Sequence, residues 1–240
     1  MVVGGNSHVF AAPGNAYTAA TKAGIGSTRV LLPQSLQKTL GSHLPDAVFA
    51  PATPSGSLAR AALDTLLENA EWADGVLLAG DFGRNSETAI VLGSFLDKYP
   101  GQVTLAGDGV DYFQEKNSQA LYRDKTLVVI NLGKLQKLAK NNRPSTPLLH
   151  NMNLQELVTL LADWTNGSQA SFITRHADNL IVAAEGRVST TPHKDDSTSW
   201  LTDLATYTAV WWLQNPTKTF EALSTAIFEY SINDGGARRT

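Results

Sequence analysis

The stretch GDFGRNSETA, residues 80–89, follows the apolar run GVLLA. A strand, a glycine turn and a helix in that order form the junction at which many α/β proteins hold a phosphate. Glycine lets the backbone approach the anion, and the helix N-terminus favours negative charge. Here a carboxylate, Asp81, sits between Gly80 and Gly83, and a carboxylate at an anion site repels the anion it should cradle. The plainer alternative is a helix entry, with Asn85 as cap and Glu87 in the first turn. Other chemistries have less to work with. The histidines His8, His43, His150, His176 and His193 show no paired helical spacing, and there is no cysteine, so a zinc site is not indicated. No G-x-S-x-G elbow, G-x-x-x-x-G-K-[ST] loop or G-x-G-x-x-G fingerprint occurs, which argues against a serine hydrolase, a P-loop and a Rossmann dinucleotide site.

The elements that must position such residues alternate. The runs TRVLLP (28–33), GVLLAG (75–80), QVTLAG (102–107) and LVVI (127–130) are short and apolar throughout, the pattern of strands covered on both faces of a parallel sheet. Helical patterns separate them: GNAYTAATKAG (14–24), SLARAALDTLLENAEWA (57–73), NSETAIVLGSFLDKY (85–99) and LGKLQKLAK (132–140). NLQELVTLLADWTNG (153–167) opens with Asn153 and Glu156 at capping-box spacing. QASFITRHADNLIVAAEGRVSTTP (169–192) then reads as two strands with a turn at Glu185-Gly186, an antiparallel pair at the sheet edge. A long helix follows at 200–214, and Pro216 stands where the last helix, TKTFEALSTAIFEYS, should start, before a loose tail, NDGGARRT. In such sheets ligands bind beyond the carboxyl ends of the strands. The loops to watch are therefore 80–85, 107–111, 131–134 and 190–203.

Composition sets the bounds. The 240 residues are 42% hydrophobic and carry a formal net charge of −3. That is enough apolar material for one sizeable α/β core, and no basic patch suggests nucleic acid. The start, MVVGGNSHVF, lacks the basic and apolar regions of a signal peptide, and no apolar run approaches the length of a membrane span. Absence of cysteine accords with a reducing compartment, so the expected location is cytoplasmic.

Taken together these stretches resemble the C-terminal YjeF-type domain of the ribokinase-like superfamily, whose best-known members are the ADP- or ATP-dependent NAD(P)H-hydrate dehydratases. VGGNSHVFAAPGNAYTAATKAGIGSTRVLLP (3–33) is similar to the family's GGS…GAP…AALAALRAGAGLVTVAVP segment. The helix at 57–70, the strand at 75–79, the GRNSETA junction, the RHADNLIVAAEGRV hairpin and LATYTAVWWLQN extend the likeness over nearly the whole chain. The resemblance implies one ribokinase-like domain over residues 1–240: a three-layer α/β/α fold, mostly parallel, with an antiparallel edge hairpin. It also implies ADP or ATP, with Mg, as cofactor, a hydrated nicotinamide cofactor as substrate, and a homo-oligomer.

The family's chemical motifs depart from that match. Where the family has GPGLG, this chain has AGDFG (79–83), and only the last glycine, Gly83, is kept. The plain helix-entry reading is preferred for this loop. The DADAL-like strand end is AGDGV (106–110), with Ala106 in the first aspartate's place and Asp108 in the second's. Asp108 either contacts a ligand or a metal-bound water, or caps the turn into a short helix. TPHPGE becomes VINLGK (129–134): Gly133 remains, Asn131 replaces the histidine and Lys134 the glutamate. Asn131 hydrogen-bonds but does not titrate near neutral pH. Lys134 could meet a phosphate, although a lysine in a first helical turn is more often solvated. Arg175 stands for the lysine of a Lys-Gly pair near the nucleotide, and His176 for its glycine. The family's GTGD, which supplies the anion hole and the acid/base, is DDSTSWLTDLAT (195–206) here. One alignment puts Thr202 at the catalytic aspartate and a one-residue shift puts Asp203 there. The alternative is a first helical turn whose acids complement the dipole.

Three functions follow from the resemblance and its departures: a divergent dehydratase-like lyase with Asp203 or Asp108 as base, a non-catalytic binding or assembly module, and, more weakly, a small-molecule kinase. The candidate nucleotide or anion contacts are Gly83, Asn131, Gly133, Lys134, Arg175 and Thr202. His193-Lys194-Asp195-Asp196 reads as a polar loop, and Trp211-Trp212 as core or a subunit contact.

Overall fold

The structure, a computed structural model, describes residues 1–44, 46–113, 123–142, 147–149, 151–194 and 200–237. Nine strands form one sheet in the order β3-β2-β1-β4-β5-β6-β7-β8-β9. They are β1 (Val2–Gly4), β2 (Val30–Pro33), β3 (Val48–Ala50), β4 (Gly75–Gly80), β5 (Gln102–Leu105), β6 (Thr126–Val129), β7 (Ser171–His176), β8 (Asn179–Ala184) and β9 (Arg187–Pro192). Pairing is parallel from β3 through β7. It turns antiparallel at β7–β8 and β8–β9. The chain moves outward from β1 to β3 and returns to place β4 beside β1, so the strand order reverses between those two. A crevice opens at such a point because the loops leaving the two strands go to opposite faces.

The helices are α1 (Ala11–Lys22), α2 (Gln37–Leu40), α3 (Leu63–Trp72), α4 (Ser86–Lys98), α5 (Leu132–Asn142), α6 (Leu154–Asn166), α7 (Trp200–Gln214) and α8 (Thr219–Ala237). They cover the sheet on both faces. Leu66, Phe95, Leu138 and Leu161, from α3 to α6, pack one face with Leu78 and Leu105. Ala16, Leu204, Trp212 and Leu223, from α1, α7 and α8, pack the other with Leu77 and Leu127. Both layers explain why β4 is buried at every position. The edge strand β9 has no fully buried residue.

Several expectations are corrected. The region 169–192 makes three strands, not two, because a second turn with Ala177 at φ 48° precedes the one at Glu185, where φ is 55°. The pattern over 57–73 is broken into a short helical turn, Arg60–Ala62, followed by α3, so the apolar spacing there belongs to two pieces. Helix α1 begins at Ala11, with Pro13 in its first turn, where the missing N–H costs nothing. Pro216 lies ahead of α8, which begins at Thr219, and that helix continues through the segment read as a loose tail as far as Ala237. His193 is not a solvent-loop residue. It is 6% exposed, with its ring 5.5 Å from that of Tyr230. No helix among the described residues is long and apolar enough to cross a membrane.

Candidate functional site

The crevice between β1 and β4 is built on close backbone approach. A Cβ on Gly4 would lie 2.5 Å from the carbonyl oxygen of Gly80, so only glycine allows these strand ends to meet. Beyond them the loop after β4 is left-handed at Gly80 (φ 116°), Asp81 (φ 62°) and Gly83 (φ 74°). Aspartate tolerates that region better than most residues because its short side chain can hydrogen-bond locally. Phe82, fully buried, anchors the loop.

The turn's amides are occupied. Phe82 N–H donates to Asp108 Oδ1 at 3.2 Å, and Gly83 N–H donates to Asp108 Oδ2 at 3.0 Å. Asp108 thus neither caps its own turn nor faces an open anion hole. It ties the end of β5 to the loop after β4. The short helical turn Gly107–Phe113 that carries it is fastened further: the Tyr112 hydroxyl donates to the carbonyl of Gly83, and the Phe82 and Tyr112 rings meet edge to face at 6.3 Å. Burial pushes the Asp108 carboxyl above its ordinary range. The two amides oppose that shift, the charge of Asp81 adds to it, and Lys134 opposes it.

Asp81 has a role the sequence did not show. Its Oδ2 accepts from Ala12 N–H at 2.6 Å, so it caps α1 across the crevice, at the helix end where negative charge is favourable. The buried Asn6 holds it in place. Asn6 Nδ2 donates to Asp81 O at 2.6 Å, while Asn6 Oδ1 accepts from His8 N–H and Val9 N–H. Asn85 does cap α4, accepting from Glu87 N–H at 2.8 Å and Thr88 N–H at 3.4 Å, as the plain reading requires.

Lys134 is not a solvated first-turn lysine. Its Nζ donates to Gly107 O and to Asp111, each at 2.9 Å, and so clamps α5 to the Gly107–Phe113 turn. Asn131 is exposed and caps α5 through Lys134 N–H at 2.8 Å, and Gly133 lies in that first turn. Arg175 is half-buried on β7 and its Nε donates to Ala177 O at 3.1 Å, within its own hairpin turn.

Thr202 and Asp203 sit in the first turn of α7, the threonine buried and the aspartate half-buried. Helix α7 runs against the strands. Its C-terminal half lies over their starts: Gln102 Nε2 reaches Ala209 O at 3.4 Å, and a Cβ on Gly75 would meet Leu213 at 2.8 Å. Over roughly 22 Å of helix its first turn therefore falls at the carboxyl ends, the same end of the sheet as Asp108. Residues 195–199, which precede it in the stretch aligned with the family's GTGD, lie outside the described residues. Trp212 is core, its Nε1 donating to Thr219 Oγ1, and Trp211 packs against Tyr207. Sequence reasoning missed Asn6, Asp111 and Tyr112. Only the GGN run after β1 carried any signal, because an asparagine beside two glycines at a strand end is turn chemistry.

Among solved structures, a ribokinase-like superfamily protein from Enterococcus faecalis matches all of this chain and 79% of its own, with a TM-score of 0.74 at 16% identity. An ADP/ATP-dependent NAD(P)H-hydrate dehydratase from Bacillus subtilis, co-crystallised with ATP and Mg²⁺ and soaked with CoA, matches 96% of this chain and 79% of its own, with a TM-score of 0.68 at 11% identity. A Bacillus subtilis pyridoxal kinase, in an ADP complex, matches 94% of this chain and 87% of its own, with a TM-score of 0.59 at 7% identity. No family model matches the sequence. No curated protein matches it either. The chain has the ribokinase-like fold, and the proteins that share it include nucleotide-dependent dehydratases and kinases.

Proposed function

We propose that this chain is a divergent protein of the NAD(P)H-hydrate dehydratase type that has lost nucleotide-driven dehydration and acts as a binding module on the same scaffold. The observation that carries the reading is the Asp108 carboxylate on the amides of Phe82 and Gly83. Nucleotide-driven chemistry needs an anion hole, a charge clamp and an acid/base that work as a unit. Here the amide pair of the glycine turn is filled from within. The lysine of the crevice is spent on Asp111 and Gly107. Where relatives carry a histidine, Asn131 serves a helix cap.

ADP or ATP with Mg²⁺ fits these residues poorly. A second anion would face Asp81 and Asp108 together. Gly83, Asn131, Lys134 and Arg175 each have a partner within the chain, which leaves no assembled phosphate clamp among them.

One observation favours the alternative, an active lyase. The first turn of α7 lies at the carboxyl ends of the strands, where Asp203 could take or give a proton. Incubating the chain with hydrated NADH and either ADP or ATP tests both readings. The expected result is no turnover above the spontaneous rate. Turnover abolished by Asp203→Asn would replace the binding reading with the lyase. A kinase reading is weaker, since it needs the same anion hole.

A further inference from the structure

We propose that the cavity at the amino ends of β1, β4 and β5 is a binding site for a small uncharged carboxamide, with Gln102 and Thr104 holding the amide and α1 and α7 the apolar body. The inference goes beyond the reading of a binding module, and it stands whether or not the crevice at the other end of the sheet takes a ligand.

The cavity has a volume of about 410 Å³, within the range of small-molecule sites. Ala20 of α1 and Ala209, Val210 and Leu213 of α7 wall it, together with Leu77 of β4. Gly26, Ser27 and Trp72 line it too and are exposed, which gives a ligand a way in.

Two buried polar side chains lie among these apolar walls. Val103 and Leu105 pack the opposite layer, so alternation along β5 turns Gln102 and Thr104 toward α7. Both line the cavity, and they are only 6% and 1% exposed. A buried amide or hydroxyl costs free energy unless it is hydrogen-bonded. Yet the Gln102 side chain makes one long bond, Nε2 to Ala209 O at 3.4 Å. Among the described residues the Thr104 hydroxyl makes none. Thr28, another lining residue, also has a buried Oγ1 without a partner.

Those groups define the ligand. Gln102 retains a carbonyl acceptor and an N–H donor side by side, the complement of another carboxamide, and Thr104 adds a hydroxyl that can donate or accept. The Thr206 hydroxyl beside them is spent on Thr202 O at 2.7 Å. Among the described lining residues the only charged side chain is Asp74, which is exposed. A carboxylate would lose its water there with no cation beside it, a cost that a neutral amide avoids. Water alone fills such a space poorly, because each buried water needs about two to four polar partners and Ala20, Val210 and Leu213 offer no polar side chain.

The test is NMR on the full ¹⁵N-labelled chain, titrated separately with benzamide, cyclohexanecarboxamide, benzoate and cyclohexanecarboxylate. At least one carboxamide should move the Gln102 side-chain amide and the Leu77 and Thr104 backbone amides saturably. It should bind at least about ten-fold more tightly than its carboxylate, the factor that about 1.4 kcal/mol represents. Thr104→Val keeps the shape without the hydroxyl and should weaken that binding about three-fold or more. Ala209→Leu fills the cavity and should remove saturation. The proposal is overturned if neither carboxamide saturates, if the carboxylate binds equally well, or if the response falls on Phe82 and Gly83 instead. Unchanged affinity in Ala209→Leu or in Thr104→Val would also overturn it. Should Thr104→Val not fold, Gln102→Met takes its place with the same expected loss. Nucleotide binding or dehydratase turnover is a separate readout: its appearance would defeat the functional reading without touching this result.

Discussion

The two ends of β1, β4 and β5 differ. At their carboxyl ends the crevice is filled by the chain's own groups: Asp81 on the α1 N-terminus, Asp108 on two loop amides, and Lys134 on Asp111. At their amino ends the chain leaves a cavity of about 410 Å³, walled by residues such as Val76, Gln102, Thr104, Thr206, Ala209 and Leu213. Among the described residues no lysine or arginine side chain lines it. The fold directs ligands to the first end, and there the donors are already spent. The second end has room, and its described lining carries Asp74 but no lysine or arginine. A cavity and a phosphate site are thus different things here. One comes from how α7 and the loop around residues 25–28 pack over the strands, the other from backbone donors and charge.

Substitutions at the two ends should break or sharpen this contrast. The largest effect belongs to the crevice. Phe82→Ala removes a fully buried ring beneath the loop that presents the amides, and should cost about 3–5 kcal/mol of unfolding free energy in urea titration. A loss under about 1 kcal/mol would mean the loop is not held by its core anchor. Next comes Asp108→Ala, which leaves two amides without their acceptor. Chemical denaturation near neutral pH should show it less stable by about 1–3 kcal/mol, and an unchanged midpoint would argue that the carboxylate does not hold the two loops together.

The third prediction concerns pH. Burial holds the folded Asp108 carboxyl above the ordinary aspartate value of 3.8. The part of its contribution that depends on protonation is then fully present below that value and is lost as pH rises through the folded pKa, while its two amide contacts persist. Measured as wild type minus Asp108→Asn, stability should fall with rising pH across that window. A difference that grows with pH would show that the amides outweigh burial. The smallest effect belongs to the opposite end. Ala209→Leu adds volume where a cavity stands, and should change stability by less than about 1 kcal/mol. A loss of several kcal/mol would show the amino end to be as closely packed as the crevice.

Much of this architecture was legible because it depends on local pattern. β4 is apolar throughout and buried throughout, and Asn153 and Glu156 form the capping box their spacing announced. The extra strand at 179–184 was harder to see, since its preceding turn is made by Ala177 and Asp178 with no glycine. The site was less legible. Asp81 and Asp108 could be picked out as unusual acids, but their partners lie 69, 26 and 25 positions away in sequence. Spacing along the chain carries no record of such pairings. His193 shows the same limit, because the ring it meets, Tyr230 of α8, is far from it along the chain.

The central claim is that the crevice no longer takes nucleotide phosphate. Isothermal calorimetry of the full chain with ADP, and with ATP and Mg²⁺, tests it most directly. The account predicts no saturable heat at micromolar nucleotide. A dissociation constant in the low micromolar range for either nucleotide would contradict it.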